Sequence, residues 1–316
     1  MPEFAIEVRD LVKAFRRRGQ PALRAVDALS FAVRPGAIFG LLGPNGAGKT
    51  TTLRVLTTRA LPSAGTARVM GFDVAAQPLE VRRRIAVVIQ ESAAELFLSV
   101  RDNLLVFARF HGAVGAEVRR RAERVLEQFG LTEEVQRKLI DLSGGFRRRV
   151  QVAKMFMVDT PVMFLDEFST GMDPILKRSV MELLRAEAER GRTIVLTTHI
   201  LNEAEELCDD ILIMHRGRQV ARGDLHTLKL LSAGVYELTM TFEALPDGIV
   251  AELEARHPLR LRTNHNTIEL ALKAEEAAVL DLVSDLARRG RVLRVELGGA
   301  SLEDIFVELT QAPPEA

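Results

Sequence analysis

The feature that most restricts the fold is an eight-residue segment, Gly43–Thr50, which reads GPNGAGKT. It matches the pattern G-x-x-x-x-G-K-[ST], in which glycines let the backbone wrap so that several N–H groups point at phosphate oxygens. An apolar run, Ile38–Leu42, precedes the segment, and we predict a helix from about Lys49, whose start adds the positive end of a helix dipole. Strand, loop and helix follow in the order that a phosphate-binding loop requires.

The same pattern assigns roles to individual residues of the loop. Lys49 is expected to neutralise charge on the β- and γ-phosphates, and Thr50 to offer its hydroxyl to Mg²⁺. The other candidates for nucleotide contact in or directly after the loop are Gly43, Asn45, Gly46, Gly48 and Thr51. The segment therefore predicts a bound nucleotide with its magnesium ion.

A second apolar run, Val162–Leu165, ends in two carboxylates, Asp166 and Glu167. A metal-holding aspartate belongs at such a strand end, beside the phosphate loop. Asp166 is expected to hold Mg²⁺ directly or through water, and Glu167 to lie one step nearer the γ-phosphate and polarise the attacking water. Taken alone, the pair is equally consistent with a solvated strand end, but the phosphate loop favours the metal-binding interpretation.

The segment Leu142–Phe146, LSGGF, stands just ahead of a predicted helix. Ser143, Gly144 and Gly145 form a helix N-terminus that suits an anion. Two separate phosphate-binding elements are hard to use on one nucleotide within one subunit. Taken alone, the segment could also be an ordinary capped helix start.

The rest of the first 230 residues alternates between strands and helices. Ala5–Val8 and Ala28–Val33 indicate antiparallel strands, and Val100–Phe129 is helical in pattern. Asp173 followed by Pro174 predicts a helix start, with the aspartate as N-cap and the proline in the first turn. Thr193–Thr198 is a further buried strand. Strands that alternate with helices favour a largely parallel sheet.

The pattern changes beyond about Leu230, which divides the chain into a domain over 1–230 and a small one over 231–316. The second part follows the order β-α-β-β-α-β, which indicates a ferredoxin-like domain. Its predicted strands are Val235–Phe242, Leu259–Arg262, Thr267–Leu272 and Val292–Leu297. Its predicted helices are Gly248–Arg256, Ala274–Arg289 and a last one at Leu302–Leu309.

Composition excludes several classes of protein. The 316 residues have a formal net charge of zero, so the whole chain gives no reason to expect a nucleic-acid partner. A single cysteine, Cys208, excludes an internal disulfide framework and a cysteine-based zinc site. No apolar run approaches the roughly 18 to 20 residues that span a bilayer, and the N-terminus lacks the pattern of a signal peptide. Any membrane role is therefore expected to depend on another polypeptide.

The order of motifs resembles the ATP-binding subunits of ABC transporters over roughly residues 4 to 230. The motifs that carry the resemblance are GPNGAGKT, VVIQES, LSGGF, VMFLDE, STGMD and TTHILNEAEEL. The resemblance implies a RecA-like core with an antiparallel β subdomain and a helical signature subdomain. It also implies ATP and Mg²⁺ as cofactors, and a head-to-tail homodimer in which Ser143 of one subunit closes over ATP held by the other.

Further residues acquire roles only through this resemblance. His199 resembles the switch histidine that contacts the γ-phosphate, and Gln90 the glutamine that senses Mg²⁺ and the membrane subunit. Asp173 resembles the aspartate that crosses the dimer interface. Phe15 stands where an aromatic side chain usually stacks on adenine, although a packed core phenylalanine is the alternative.

Two positions depart from the family pattern. Position 146 is Phe where the signature usually reads LSGGQ, which removes one polar side chain near the nucleotide but does not predict inactivity. Phe15 replaces the commoner tyrosine and should stack comparably.

The C-terminal segment ASLEDIF and the segment LSVRDNL resemble the drug- and polyketide-exporter branch of the family. This implies export, a separately encoded transmembrane permease as partner, and a peripheral position at the cytoplasmic face of the bacterial membrane. Two other classes stay open. A soluble ABC-type ATPase acting on DNA or ribosomes usually has two cassettes or a coiled-coil insertion. A P-loop kinase or GTPase would leave LSGGF unexplained.

Overall fold

The computed structural model describes most of the chain, namely residues 2–17, 19–88, 95–231, 234–299 and 301–311. The predicted magnesium-sensing glutamine, Gln90, lies outside these residues. The chain divides into two compact units, Met1–Gln219 and Val220–Ala316. The predicted division into a domain over 1–230 and a small one over 231–316 stays a prediction.

The strands described up to residue 223 are, in chain order, β1 (Ile6–Arg17), β2 (Gln20–Val33), β3 (Ile38–Leu42), β4 (Ala64–Val69), β5 (Phe72–Asp73), β6 (Ile85–Val88), β7 (Val162–Asp166), β8 (Thr193–Thr198), β9 (Asp210–His215) and β10 (Arg218–Gly223). The α-helices among them are α1 (Lys49–Leu56), α2 (Pro78–Arg82), α3 (Val100–Phe110), α4 (Ala116–Gln128), α5 (Gly144–Lys154), α6 (Pro174–Glu189) and α7 (Leu201–Leu207).

The central sheet has six strands in the order β10-β9-β3-β8-β7-β6. β3 is buried along its whole length and pairs in parallel with both β8 and β9, while β7 pairs in parallel with β8 and β6. The continuous apolar character of these strands follows from their position, because a parallel sheet is covered on both faces. The parallel arrangement brings the carboxyl ends of β3, β7 and β8 to one edge of the sheet.

A second sheet of the same unit has the order β2-β1-β4-β5, with antiparallel pairing throughout. Its apolar face shares one core with the central sheet. Residues such as Ile6, Val8 and Phe31 cluster with Phe39 and Leu41 of β3. The rings of Phe31 and Phe39 stack with their centroids 5.1 Å apart, an arrangement that favours a fixed sheet-to-sheet geometry.

A helical part formed by α3, α4 and α5 completes the first unit. The sequence pattern indicated helix from Val100 through Phe129, but the structure ends α3 at Phe110 and starts α4 at Ala116. Two glycines with positive φ, Gly112 at 81° and Gly115 at 100°, lie in the break and turn the chain back. Leu104 of α3 and Leu126 of α4 are buried, so the packing of the amphipathic faces agrees with the predicted periodicity.

The RecA-like core, the antiparallel β subdomain and the helical signature subdomain that the sequence predicted are therefore all present. The longest helix described in this unit, α6, has 16 residues. Within the described part of the chain, no helix combines the length and the apolar character that a bilayer crossing demands.

The second unit contains α8 (Leu225–Leu231), β11 (Val235–Phe242), α9 (Ile249–Glu254), β12 (Arg260–Asn264), β13 (Thr267–Lys273), α10 (Glu276–Arg289), β14 (Val292–Gly299) and α11 (Leu302–Gln311). The sheet order is β12-β13-β11-β14, and its neighbours are antiparallel. Leu238, Met240 and Phe242 of β11 pack with Ile249 of α9 and Leu282 of α10 in a core of their own. The classification of this unit as ferredoxin-like stays a prediction.

Candidate active site

Three strand ends of the central sheet bring the predicted chemistry together. β3 leads into the glycine-rich loop, β7 ends at Asp166, and β8 ends at Thr198, one residue before His199. The register pairs Asp166 with Thr197, which aligns these ends within one residue of each other. Ligands of open α/β sheets bind outside the carboxyl ends of the strands, and this edge is such a place.

The glycine-rich loop needs glycine at its tightest points. Gly48 has φ 107°, and a Cβ built on it would lie 2.3 Å from the backbone oxygen of Ala25. Gly43 has φ 150°, and a Cβ there would lie 2.3 Å from the backbone oxygen of Met214. Any side chain at these positions would displace the loop from the body of the unit, so the two glycines fix the path that the loop follows to α1.

Lys49 directs its ammonium group into the loop. The residue is 5% exposed, and Nζ donates hydrogen bonds to the backbone oxygens of Gly43 at 2.7 Å and Pro44 at 3.1 Å. Burial lowers the pKa of Lys49, while the nearby carboxylates of Glu167 and Asp166 oppose that shift. A buried cation held by two carbonyl dipoles is poised to pair with a phosphate group that enters the loop.

Asp166 has one satisfied and one unsatisfied carboxylate oxygen. Oδ1 accepts hydrogen bonds from Thr50 Oγ1 at 3.3 Å and Thr197 Oγ1 at 2.5 Å. Oδ2 is buried and has no hydrogen-bond partner, although the residue is only 1% exposed. A buried carboxylate oxygen without a partner is unfavourable unless a cation or water binds it.

Asp166 and Thr50 thus fit a magnesium ion. Mg²⁺ usually takes one or two carboxylates and fills its other positions with water and substrate phosphates. No group of three His, Cys, Asp or Glu side chains suited to a metal occurs among the residues that the structure covers, and this mode of binding requires none.

Glu167 has an unusual backbone conformation with φ 49°. Its N–H donates to Thr197 O at 3.0 Å and to Thr197 Oγ1 at 3.2 Å, which ties the residue to the end of β8. Its Oε1 lies 3.2 Å from Nδ1 of His199, whose side chain is 50% exposed. A positive φ in a non-glycine residue stores strain that the surrounding contacts must maintain, and such residues cluster at active sites.

Arg148 of α5 supports this strained segment and was missed in the sequence analysis. Its Nη2 donates to the backbone oxygens of Asp166 and, at 2.8 Å, of Glu167. Burial lowers its pKa against the opposing charges of Asp166 and Glu167, yet a guanidinium remains a cation in proteins. The sequence has three consecutive arginines at 147–149, and composition alone does not show which of them is buried. The one available signal was helical spacing, because Arg148 lies four residues before the apolar Val152.

A cavity of about 440 Å³ opens over the glycine-rich loop. Its lining includes Phe15, Leu23, Asn45, Thr51 and Glu167. Phe15 is 40% exposed, so it is available for stacking and is not the packed core residue that was the alternative. The structure therefore gathers Lys49, Thr50, Asp166, Glu167, His199 and Phe15 at one edge, with Gln90 outside the described residues.

The signature residues lie elsewhere on the same chain. Ser143 caps α5, with Oγ accepting from the N–H of Phe146 at 3.4 Å. Gly144 and Gly145 line a different cavity of about 440 Å³ with Arg148, Thr170 and Gly171. Glu167 lines both cavities, but none of the three signature residues lines the one above the glycine-rich loop.

Asp173 occupies the N-cap position that the sequence predicted. Its Oδ1 accepts from the N–H of Leu176 at 2.9 Å, and Arg149 Nη2 lies 3.3 Å from its other oxygen. The guanidinium of Arg149 also lies 4.5 Å from the ring centre of Phe146. The unusual phenylalanine of the signature is therefore part of a cation–π contact within its own helix.

A buried carboxylate, Glu203 of α7, joins the loops around the site and was also missed in the sequence analysis. It is 1% exposed and accepts from Ser169 Oγ at 2.5 Å and Thr198 Oγ1 at 3.0 Å. Lys177 Nζ lies 3.2 Å from the same carboxylate. Three acidic residues share α7, so composition alone could not single out the one that faces inward.

The fold and the site together define a P-loop ATPase with a signature helix. The sequence pattern of the family described as "ABC transporter" matches residues 26–170. The chain is 36% identical over 318 residues to a daunorubicin/doxorubicin resistance ATP-binding protein of Streptomyces peucetius, covering 99% of this chain and 94% of that protein. It is 38% identical over 312 residues to a Nod factor export ATP-binding protein I of Paraburkholderia xenovorans, covering 98% of each. The chain belongs to the ABC transporter family, as one of its ATP-binding subunits.

Solved structures agree with this assignment. An ATP-binding subunit of an ABC transporter superimposes with a TM-score of 0.66 at 29% identity, covering 72% of this chain and 92% of that one. A dimeric ATP-binding cassette in a post-hydrolysis state with ADP and Pi shares the fold with a TM-score of 0.65 at 23% identity, covering 70% and 98%. As a family member, the chain hydrolyses ATP to drive transport and works at the cytoplasmic face of the membrane.

Proposed function

We propose that two copies of this chain bind two ATP molecules between them and power export through a separately encoded permease. In each site the glycine-rich loop, Lys49, Thr50 and Asp166 come from one copy. Ser143, Gly144 and Gly145 come from the other copy.

The observation that carries the proposal is the separation of two anion-binding elements within one chain. The glycine-rich loop and the start of α5 each present backbone N–H groups at a helix N-terminus, but they line different cavities. A second copy, placed head to tail, would bring both elements to one nucleotide. Loss of the γ-phosphate then removes charge that both copies share, and the interface opens.

The hydrolytic step follows from the positions of the charged groups. Glu167 accepts a proton from the attacking water, and His199 beside it holds the carboxylate in place and contacts the γ-phosphate. Lys49 stabilises charge on the transferring phosphoryl group. Mg²⁺, held by Thr50 and Asp166, would neutralise charge on the phosphate oxygens, and Gln90 keeps its predicted role as the residue that senses this ion. Phe15 stacks on the adenine, and Asp173 contributes from the signature side of the interface.

For the permease, the best candidate surface is a cleft of about 700 Å³ that runs between α2 and the end of α3. Two apolar side chains on its lining are strongly exposed, Phe110 at 83% and Leu79 at 62%. Exposed apolar residues beside a groove mark interaction sites, and this groove adjoins the helical subdomain. A short amphipathic segment of the permease is the expected occupant.

The substrate class rests on the relatives' names. One is named for resistance to daunorubicin and doxorubicin, and another for Nod factor export. We infer a drug-like or lipid-like substrate, whose contacts belong to the permease.

The permease proposal is tested by purification of the tagged chain from membranes, followed by identification of copurified proteins. The wild type is expected to retain a multi-span permease, and Phe110→Glu to lose it while its ATP turnover in solution persists. Leu61→Glu is the matched control, because Leu61 is 64% exposed and does not line the cleft. Copurification with ribosomes in place of a permease, or equal retention by both variants, contradicts the proposal.

A further inference from the structure

The C-terminal sheet ends in an exposed strand. β14 pairs with β11 on one side and is the last strand in the order β12-β13-β11-β14. Residues 293–299 are all exposed. An edge strand presents a row of unpaired N–H and C=O groups, and natural proteins usually shorten, bulge or charge such an edge to prevent pairing. β14 is eight residues long. Its pairing with β11 shifts register between Val292 and Arg294, and its regularly paired middle carries the apolar side chains of Val295 and Leu297.

These apolar side chains continue the core layer of the sheet. Val295 lies opposite Met240 and Leu297 opposite Leu238, and directly opposed residues of an antiparallel pair share one face. Met240 and Leu238 belong to the core, yet Val295 is 43% exposed and Leu297 is 41% exposed. The apolar layer therefore reaches the edge of the sheet, where the described residues leave it exposed.

The sequence of this edge is complementary to itself. Residues 293–297 read LRVEL, so the order of residue types around Val295 is apolar, basic, apolar, acidic, apolar. In an antiparallel pair of two copies centred on Val295, Arg294 of each copy lies opposite Glu296 of the other. Leu293 lies opposite Leu297, and Val295 opposite its own counterpart.

We propose that two copies of the chain join through β14, antiparallel and in this register, to form one continuous eight-stranded sheet. The partner surface is the same strand of a second copy, as an isologous two-fold interface requires. The apolar layers of the two sheets become continuous, and two cross-strand ion pairs form on the opposite face. This contact needs no nucleotide.

The charges specify the register. Within one chain Arg294 already pairs with Glu296, and both side chains are more than half exposed, so they can exchange partners with a second copy. A shift that keeps the apolar side chains on one face must move the pairing centre by a whole residue. The shifted pair is then centred on Arg294 or on Glu296. Arg294 of one copy lies opposite Arg294 of the other, or Glu296 opposite Glu296, and such opposed like charges are unfavourable.

Cysteine cross-linking of the full chain without nucleotide tests the register. The native Cys208 is buried, so it gives little background. Val295→Cys is expected to form a covalent dimer under mild oxidation, because opposed residues fall within disulfide reach. Leu293→Cys and Leu297→Cys are each expected to form no covalent cross-link alone but to cross-link when mixed, since only the mixture places the two cysteines opposite each other.

Charge reversal gives a second readout by sedimentation of the nucleotide-free protein. Arg294→Glu or Glu296→Arg alone is expected to weaken the dimer at least about tenfold, and the double exchange to restore it. Unfolding midpoints confirm that the variants remain folded. A wild type that stays monomeric at high concentration, equal self-cross-linking at 293 and 295, or a double exchange no better than the single variants overturns the proposal.

Discussion

The backbone of Glu167 has a positive φ, which is unfavourable for a non-glycine residue, and hydrogen bonds from neighbouring residues hold it in that conformation. The N–H groups and carbonyls around it are bonded to β8 on one side and to Arg148 on the other. The position of the carboxylate therefore depends on a side chain that never needs to touch ATP. Arg148 is a positioning residue in this account.

Arg148→Met is expected to lower kcat for ATP hydrolysis by about tenfold or more, because small displacements of a catalytic group are costly. KM for ATP should change little, since Lys49 and the glycine-rich loop are untouched. Steady-state kinetics measure kcat and KM separately. Arg119→Met, on the exposed face of α4, is the control. A folded Arg148→Met protein with unchanged kcat contradicts this role.

Lys154 of α5 is a second buried cation, with an exposed fraction of 7%. Its Nζ lies 5.1 Å from the ring centre of Phe107, and burial lowers its pKa to about 8, against a partial opposing effect of Glu95. A lysine whose pKa is lower in the folded than in the unfolded state destabilises the folded state at pH values where its side chain is charged. That penalty is complete below pH 8 and fades as the pH rises from the folded pKa of about 8 toward the unfolded value of 10.5.

The free energy of unfolding of the wild type should therefore rise relative to that of Lys154→Met between pH 8 and 10.5. The total change is on the order of 1–3 kcal/mol. Denaturant unfolding of both proteins across this range measures the difference, in which other titrating groups largely cancel. A difference that is flat with pH, or that falls, contradicts the buried-cation description.

At the scale of elements, the site depends on the close approach of the start of α5 to the segment between β7 and α6. A Cβ on Gly145 would lie 2.4 Å from the backbone oxygen of Gly171, whereas nothing lies within 4 Å of a Cβ on Gly144. The two adjacent glycines thus have different tasks. Gly145 permits contact between elements of one chain, and Gly144 faces open space.

Gly145→Ala is expected to destabilise the protein by about 1–3 kcal/mol, because the added methyl group must push the two backbones apart. Gly144→Ala should leave stability unchanged or slightly raised, since alanine favours the helix. Chemical denaturation of the nucleotide-free proteins measures the free energy of unfolding of both variants. If the two variants unfold at the same denaturant concentration, the close contact with Gly171 is not present in solution.

The elements were largely predictable because their signals are local. Apolar runs predicted β3, β7 and β8, and Asp173 with Pro174 predicted the start of α6. The break between α3 and α4 was missed because amphipathic periodicity continues on both sides of two glycines. Arg148 and Glu203 were missed because each has contacts with residues 18 or more positions away, such as Asp166 and Ser169, which no local pattern records.

In the whole molecule, the proposed functional unit is a pair of chains. Each copy alone has a nucleotide pocket whose lining lacks the signature residues, and two of these, Gly144 and Gly145, line a separate cavity. Motif order predicted the family, but which chain supplies which half of a pocket is a property of assembly. The C-terminal edge strand adds a second place at which copies would meet.

The most direct measurement is ATP turnover by a mixture of two inactive variants. Lys49→Ala removes the loop cation, and Ser143→Arg blocks the signature, so each variant alone should be inactive. A mixed dimer contains one intact site, with the loop from the Ser143 variant and the signature from the Lys49 variant. An equal mixture should recover about a quarter of wild-type turnover, since half the dimers are mixed and each has one of two sites. Turnover no greater than the sum of the separate variants would contradict a site shared between chains.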